Sequence, residues 1–393
     1  MSETFRDMHR TSNFFSPTKT ILGKGTLEQV GFEALGLHGT RALVVTDPGI
    51  VEAGLVDGLQ AALENVELHP VVFDKVEPEP PAGLVDDAVR IIRSEKCDLV
   101  VGFGGGSALD IAKGAAALTA CEGGVLDYVG LNTLKRRGLP RILIPTTAGT
   151  GSEAGMGIVL TDKAANTKRV VVSPHLLADI AILDPDLTLS MPAKVTAATG
   201  MDALVHAIES FTSANATPFS ELLGIQAIAM IARHLPVAFA KGGDSVARYN
   251  MLLAANWAGA SFTSGGLAAV HGLAYVLGTE YHLPHGIANA AMLPHVMSFN
   301  IPGSPEKFAL VAEAMGENIR DISLQEAAQK SVAAVRQLLA TVQVSCRLSD
   351  YEIPESDLPV LVKGGMAQSR LFAANPRDLT ESDVRGIYEN AFV

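Results

Sequence analysis

The chain has 393 residues and carries 42 acidic against 30 basic side chains, a net charge of −12. That length exceeds one ordinary core and is comfortable for two. A hydrophobic fraction of 48% with only 18% charged residues excludes disorder as the main state, and the acidic balance excludes nucleic acid and anionic membrane surfaces as principal partners.

Taken in chain order, residues 41–46 (RALVVT) form the first strong strand signal and end in Thr46-Asp47-Pro48. An acid at a strand end can accept hydrogen bonds from both ribose hydroxyls of an adenosine and repel a 2′-phosphate, or it can simply cap the next helix. A second short strand covers residues 71–73. The spacing of Val85, Ala88, Val89 and Ile92 then predicts a helix with one apolar face. The strand at residues 98–102 runs directly into Gly104-Gly105-Gly106-Ser107 and a helical pattern over 108–119. Consecutive glycines let backbone N–H groups approach an anion, and the helix start adds a positive dipole end. The pattern matches neither GxGxxG nor the Walker fingerprint, so a tight turn without ligand is the competing reading. A fourth strand, residues 141–145, ends in PTTAGTGSE (residues 145–153), where Thr146, Thr147 and Thr150 offer hydroxyls between glycines. Strands alternating with helices predict a parallel sheet covered on both faces, with ligands beyond its C-terminal strand ends.

After Asp184-Pro185-Asp186 the texture turns alanine-rich, and helical patterns cover residues 193–212, 220–234, 245–260, 305–315 and 324–342. The organisation expected is an α/β domain over residues 1–188 and an all-α domain over 189–393, with a ligand cleft between them. Within the segment TGMDALVHAIES (residues 199–210), Asp202 and His206 are four apart and share a helix face. His271 interrupts an apolar segment, where a polar nitrogen is costly without a partner. Pro284-His285-Gly286 marks a break followed by a new helix start. Three imidazoles and a carboxylate suit Fe²⁺, Zn²⁺ or a similar ion.

Two further exclusions concern location. The most apolar stretches, residues 222–232 and 267–278, are shorter than a membrane span, contain Gln226 and His271, and read as buried helices. Glu3 and Asp7 stand where a secretory signal would be apolar, and Cys97, Cys121 and Cys346 form no close CxxC pair. A cytoplasmic protein with no membrane partner is expected.

Four segments together, GGGSALDIAKG (104–114), IPTTAGTGSEA (144–154), MDALVHAIES (201–210) and HGLAYVLGTEYHLPHGIANA (271–290), resemble the iron-activated, group III alcohol dehydrogenases, which include lactaldehyde reductases and propanediol dehydrogenases. The resemblance covers nearly the whole chain. It implies a Rossmann-like N-terminal domain for NAD(H) and an all-helical C-terminal domain for one divalent metal, Fe²⁺ first and Zn²⁺ or Ni²⁺ next, in a dehydroquinate synthase-like two-domain fold. The implied metal ligands are Asp202, His206, His271 and His285. The implied cofactor contacts are Asp47, Gly104, Gly105, Gly106, Ser107, Asp110, Thr146, Thr147, Thr150 and Lys168. The implied reaction is hydride transfer between a small alcohol or diol and NAD(H), the metal polarising the substrate oxygen, in a homodimer or larger homo-oligomer.

Many family members carry a second histidine four residues after the third ligand; this chain has Tyr275 there. A phenol with an ordinary pKa of about 10 is a poor general base near neutrality, so Tyr275 is expected to orient substrate or to fill volume. Phe262 and Tyr281 are further candidates for the substrate side. The rival readings are maleylacetate reductase, hydroxyacid dehydrogenase and dehydroquinate synthase chemistry. A substrate with carboxylates or phosphate would require basic residues, and residues 200–211 and 262–290 contain no Lys or Arg.

Overall fold

A computed structural model describes residues 11–393 apart from Thr18 and Asn166, so the N-terminal segment with Glu3 and Asp7 lies outside the described residues. The chain divides into two compact units at Ser190/Met191.

The first unit, from Phe15 to Ser190, has nine strands among the described residues: β1 (Lys19–Leu22), β2 (Arg41–Val45), β3 (His69–Phe73), β4 (Leu99–Gly104), β5 (Gly130–Leu131), β6 (Arg141–Pro145), β7 (Gly157–Asp162), β8 (Thr167–Val172) and β9 (Ile180–Leu183). Its helices are α1 (Val30–Gly36), α2 (Pro48–Glu52), α3 (Leu55–Glu64), α4 (Gly83–Glu95) and α5 (Gly106–Leu118). Six strands form one sheet in the order β1-β9-β6-β4-β2-β3, and every neighbouring pair is parallel. The four sequence-predicted strands are its centre and one edge. β5, β8 and β7 make a small second sheet in which β7 and β8 are antiparallel.

Apolar residues on both sides of each strand explain the layering. Ala42 and Val44 belong to one core with Val30, Ala34, Val56, Leu59 and Leu63 of α1 and α3. Leu43 and Val45 belong to the opposite core with Val85, Ala88, Val89 and Ile92 of α4 and Leu109 and Ala112 of α5. A strand apolar on both faces must be covered on both. Because β2 is flanked by β3 and β4, the strand order reverses between β2 and β4, which places the switch point of the sheet beside Asp47 and the glycine turn.

The second unit is helical: α6 (Ala193–Thr212), α7 (Pro218–Ala240), α8 (Ser245–Gly265), α9 (Ala269–Tyr281), α10 (His285–Asn300), α11 (Pro305–Ala314), α12 (Leu324–Thr341), α13 (Leu358–Met366) and α14 (Glu381–Asn390). Phe14 belongs to it and stacks on Phe219 with ring centroids 5.0 Å apart. The expectation of a buried helix over residues 222–232 needs correcting. α7 is buried along one face only, through Gly224, Ala227, Ile228, Ile231 and Leu235, while Leu222 is 61% exposed. By length and composition α7 could cross a bilayer, yet its Glu221 is buried and paired with Lys307 at 2.9 Å, a contact that belongs to this helical fold.

One buried cation organises the first unit. Arg141, fully buried at the start of β6, donates to the carbonyls of His175 (2.8 Å), Leu139 (3.0 Å), Lys113 (3.5 Å) and Arg137. Burial, with Arg137 nearby, pulls its pKa down to about 10, so it stays charged at neutral pH and satisfies carbonyls that no strand reaches. Arg141→Met should remove the guanidinium donors from the carbonyls of Arg137, Leu139 and His175 and lower unfolding free energy by about 3 kcal/mol or more in denaturant titration. A loss under about 1 kcal/mol would show that the guanidinium is dispensable.

Candidate dinucleotide and metal sites

The C-terminal ends of β2, β4 and β6 lie side by side, in register through Val45↔Gly102 and Gly104↔Pro145. Asp47, after β2, caps α2 by accepting the Ile50 N–H at 3.1 Å through Oδ1. The helix-cap reading is therefore correct as far as Oδ1 goes. Its other oxygen faces the glycine turn, since a Cβ on Gly104 would lie 3.1 Å from Asp47 Oδ2. Gly105 starts α5, and no side chain caps that helix. A Cβ on Gly106 would stand 2.7 Å from Thr150 Cγ2, and one on Gly105 3.7 Å from Thr147 Cγ2. The turn is thus enclosed by Asp47, Thr147 and Thr150, with Ser107 in the first turn of α5. The Thr146 N–H donates to Gly104 O at 3.0 Å, and its buried hydroxyl has no hydrogen-bond partner among the described residues. An uncapped helix start, bare glycines and spare hydroxyls fit the phosphates of a dinucleotide.

Asp110 and Lys168 have other partners. Asp110 accepts the Ser152 hydroxyl at 2.6 Å and the Val159 N–H at 2.9 Å, and pairs with buried Lys113 at 3.1 Å. Lys113 also donates to the carbonyls of Ser152 and Gly157. Lys168, on β8, pairs with Glu79 at 2.5 Å.

In the helical unit, α6 carries Asp202, His206 and Glu209 on one buried face, at spacings of four and three. α9 brings His271, and α10 begins on His285 directly after Pro284. The start of α10 lies so close to α6 that a Cβ on Gly286 would come within 2.2 Å of Ala198 O and 3.3 Å of Asp202 Cβ. Glycine there lets His285 reach Asp202, its Nε2 lying 3.7 Å from Asp202 Oδ1. Asp202, His271 and His285 present ligand atoms all within 4.8 Å of one another. His206 stands beside them, its Nε2 3.9 Å from Asp202 Oδ1 and its ring stacked on that of His271 at 4.9 Å. Phe262 covers the His206 ring at 4.8 Å.

Two residues absent from the sequence reading complete the cluster. Asn289, one turn after His285, aims its Nδ2 at Asp202 Oδ1 (2.8 Å), His271 Nε2 (3.1 Å) and His285 Nε2 (3.1 Å). Three lone pairs converging on one donor are the donor set a cation requires. Glu209 accepts from His271 Nδ1 and from the Val270 N–H, both at 2.6 Å. Burial pushes the Asp202 carboxyl up, but its neighbouring imidazoles and the Asn289 amide outweigh burial and hold it below the usual carboxylate range. Burial disfavours the His271 imidazolium, and Glu209 more than offsets it, so this pKa is raised. The spacings 206/209 and 285/289 on known helices are the signals that could have exposed both residues. Tyr275 is partly exposed on α9, one turn from His271. Tyr281 gives its hydroxyl to Asp357 at 3.0 Å, and burial and that carboxylate push its pKa up to about 12.

Residues 17–185 match the family described as iron-containing alcohol dehydrogenase, and residues 196–392 match the Fe-containing alcohol dehydrogenase family, C-terminal. The chain is 44% identical over 379 residues to long-chain-alcohol dehydrogenase 1 of Geobacillus thermodenitrificans, covering 96% of this chain and 95% of that protein. It is 38% identical over 386 residues to 1,3-propanediol dehydrogenase of Klebsiella pneumoniae, covering 98% of this chain and all of that protein. A crystal structure of a 1,3-propanediol oxidoreductase superposes with a TM-score of 0.95 at 38% identity, over 98% of this chain and 100% of that one.

The close approach of α10 to α6 has a measurable consequence. Gly286→Ala should force the helices apart and destabilise the protein by about 1–3 kcal/mol, as overpacking does. The matched control is Gly386→Ala in α14, where nothing lies within 4 Å of the added methyl. That change should stabilise by up to about 1 kcal/mol through helix propensity. Equal effects of the two substitutions in thermal unfolding would contradict the packing described.

Proposed function

The chain belongs to the iron-containing alcohol dehydrogenase family, and on that premise we propose how its residues carry out NAD-linked interconversion of alcohols and aldehydes. Asp202, His206, His271 and His285 hold one divalent metal, Fe²⁺ first and Zn²⁺ or Ni²⁺ as substitutes. The observation that carries this is the convergence of Asp202 Oδ1, His271 Nε2 and His285 Nε2 on the single amide donor of Asn289. When bound, the ion supplies Lewis-acid polarisation of the substrate oxygen and the nicotinamide exchanges the hydride.

The chain's own groups bind and orient. The N–H groups of Gly104 to Ser107, at the uncapped start of α5, receive the pyrophosphate. Asp47 keeps Oδ2 for the adenosine ribose while Oδ1 caps α2. Thr146, Thr147 and Thr150 offer hydroxyls beside the same turn. Asp110 serves by holding Ser152 and Val159 in place, and Lys168 is assigned no direct contact. Phe262 shields the His206 ring from water on one side. The Tyr275 hydroxyl orients the substrate from the same face of α9 as His271.

The absence of Lys and Arg from residues 200–211 and 262–290 favours a small uncharged alcohol, diol or aldehyde over an acid or phosphate ester. The relative named for 1,3-propanediol fits that class, and the one named for long-chain alcohols fits its uncharged character. Action as a homodimer or larger homo-oligomer is what the family resemblance implies, and a cytoplasmic location is what the three cysteines without a close CxxC pair suggest.

The metal assignment is tested by His206→Ala and His285→Ala. Each should lose bound metal and alcohol-dependent NADH formation together while circular dichroism stays that of the wild type. Stoichiometric metal with undiminished turnover in either variant would exclude that histidine. For the cofactor, wild type should prefer NAD(H) over NADP(H), because the Asp47 carboxylate repels a 2′-phosphate. Asp47→Gly should relax the preference by about 1–3 kcal/mol in relative kcat/KM, at a cost of only a few tenths of a kcal/mol in helix capping. A wild-type preference for NADPH would remove Asp47 from the ribose.

A further inference from the structure

Glu209 is as deeply buried as the proposed ligands, at 4% exposure, yet it takes no place among the converging ligand atoms. Both of its oxygens have partners on α9: Oε1 accepts the Val270 N–H and Oε2 meets His271 Nδ1, each at 2.6 Å. On the far side of the same ring, His271 Nε2 receives the Asn289 amide at 3.1 Å. A carboxylate can only accept, so Nδ1 must carry a proton, and in the neutral ring this leaves Nε2 as the nitrogen with the lone pair. The Glu209 contact therefore specifies one tautomer, and the Asn289 amide beside Nε2 is compatible with it.

We propose that Glu209 is a positioning residue that fixes His271 as the Nδ1–H tautomer and so keeps its Nε2 lone pair directed at the proposed metal position. The inference rests on the metal reading above and deepens it. The physical reason is geometric. An imidazole in an apolar helix–helix contact has no intrinsic preference strong enough to hold one tautomer, and the wrong one would turn an N–H toward the ion. Glu209 removes that alternative, and its second bond, to Val270, locks the carboxylate to the backbone of the helix that carries His271. A metal-bound histidine commonly gives its other ring N–H to such a partner.

Glutamine at this position makes the decisive variant. Its single carbonyl oxygen must satisfy the buried Val270 N–H, which leaves the NH₂ group facing His271 Nδ1. That amide donates, so it demands an unprotonated Nδ1 and favours the Nε2–H tautomer, the same inversion that disables a serine-protease histidine when its aspartate becomes asparagine.

The experiment uses the full-length, metal-stripped protein with ¹⁵N-labelled histidine at mildly alkaline pH, followed by Co²⁺ titration monitored by visible absorption. The His271 ring signals are assigned by their loss in His271→Ala. The expected result is Nδ1–H in wild type, Nε2–H in Glu209→Gln, and a Co²⁺ dissociation constant raised about 10- to 100-fold in the variant, with unchanged circular dichroism. Retention of the Nδ1–H tautomer in Glu209→Gln overturns the inference, whatever happens to cobalt affinity, because any loss would then reflect charge alone. A switched tautomer with unchanged cobalt affinity overturns it as well. Should Glu209→Gln fail to fold, the wild-type spectrum still decides, since an Nε2–H tautomer there refutes the assignment and Nδ1–H supports it. Failure of the metal reading itself looks different: His271→Ala would then bind Co²⁺ as wild type does.

Discussion

Helix α6 buries two carboxylates and an imidazole on one face, and α9 and α10 supply the hydrogen bonds that hold the two carboxylates. Buried carboxylates are tolerated only when their lone pairs meet donors. Asp202 meets the Asn289 amide, and Glu209 meets the Val270 N–H and His271. Those donors come from α10 and α9, so the position of both helices is fixed by polar demand as much as by their apolar faces. Gly286 makes the approach sterically feasible, because any side chain there would collide with the backbone of α6. The constellation of imidazoles follows from this arrangement.

The α/β unit meets a different constraint. A parallel sheet directs all its C-terminal strand ends to one edge, and this chain places its least bulky residues there. Three neighbouring strands end in Asp47, in the glycine turn and in the threonine-rich loop. None of these segments needs a special fingerprint to cooperate, since strand order alone makes them neighbours.

Much of this was legible in the sequence because the relevant signals are local. The strand at residues 141–145 and the helices beginning at Ala193, Ser245, Pro305 and Leu324 start where the patterns indicate. Asp202 and His206 stand out by their spacing of four, His271 as a polar residue in an apolar segment, and His285 by the break at Pro284-His285-Gly286. What the sequence hid is relational. β1 and β9 are four-residue strands placed by their neighbours, β1 by β9 and β9 by β6, and the β7–β8 hairpin carries too many polar residues to announce itself. Leu222 is apolar and exposed, so composition alone misplaces it. Asp110 enters only through the family resemblance, and its partners Ser152 and Val159 lie 42 and 49 residues further on, beyond the reach of local pattern. Asn289 and Glu209 were passed over because amides and acids on helices are ordinary until their partners are known.

The ties from α5 to the loop after β6 bear on how firmly the turn is held. Asp110 and buried Lys113 project from α5 and grip Ser152, Gly157 and Val159, so a segment that would otherwise flex as a surface loop is fastened to the helix that opens at Gly106. Local opening of either piece must break the same hydrogen bonds from Lys113 and to Asp110, which couples the two segments. Amide protons over residues 152–159 should then exchange with solvent on the slow timescale of α5. A segment fastened in this way is ordered in advance, so a ligand received at this edge would lose little affinity to the entropy of ordering a loop.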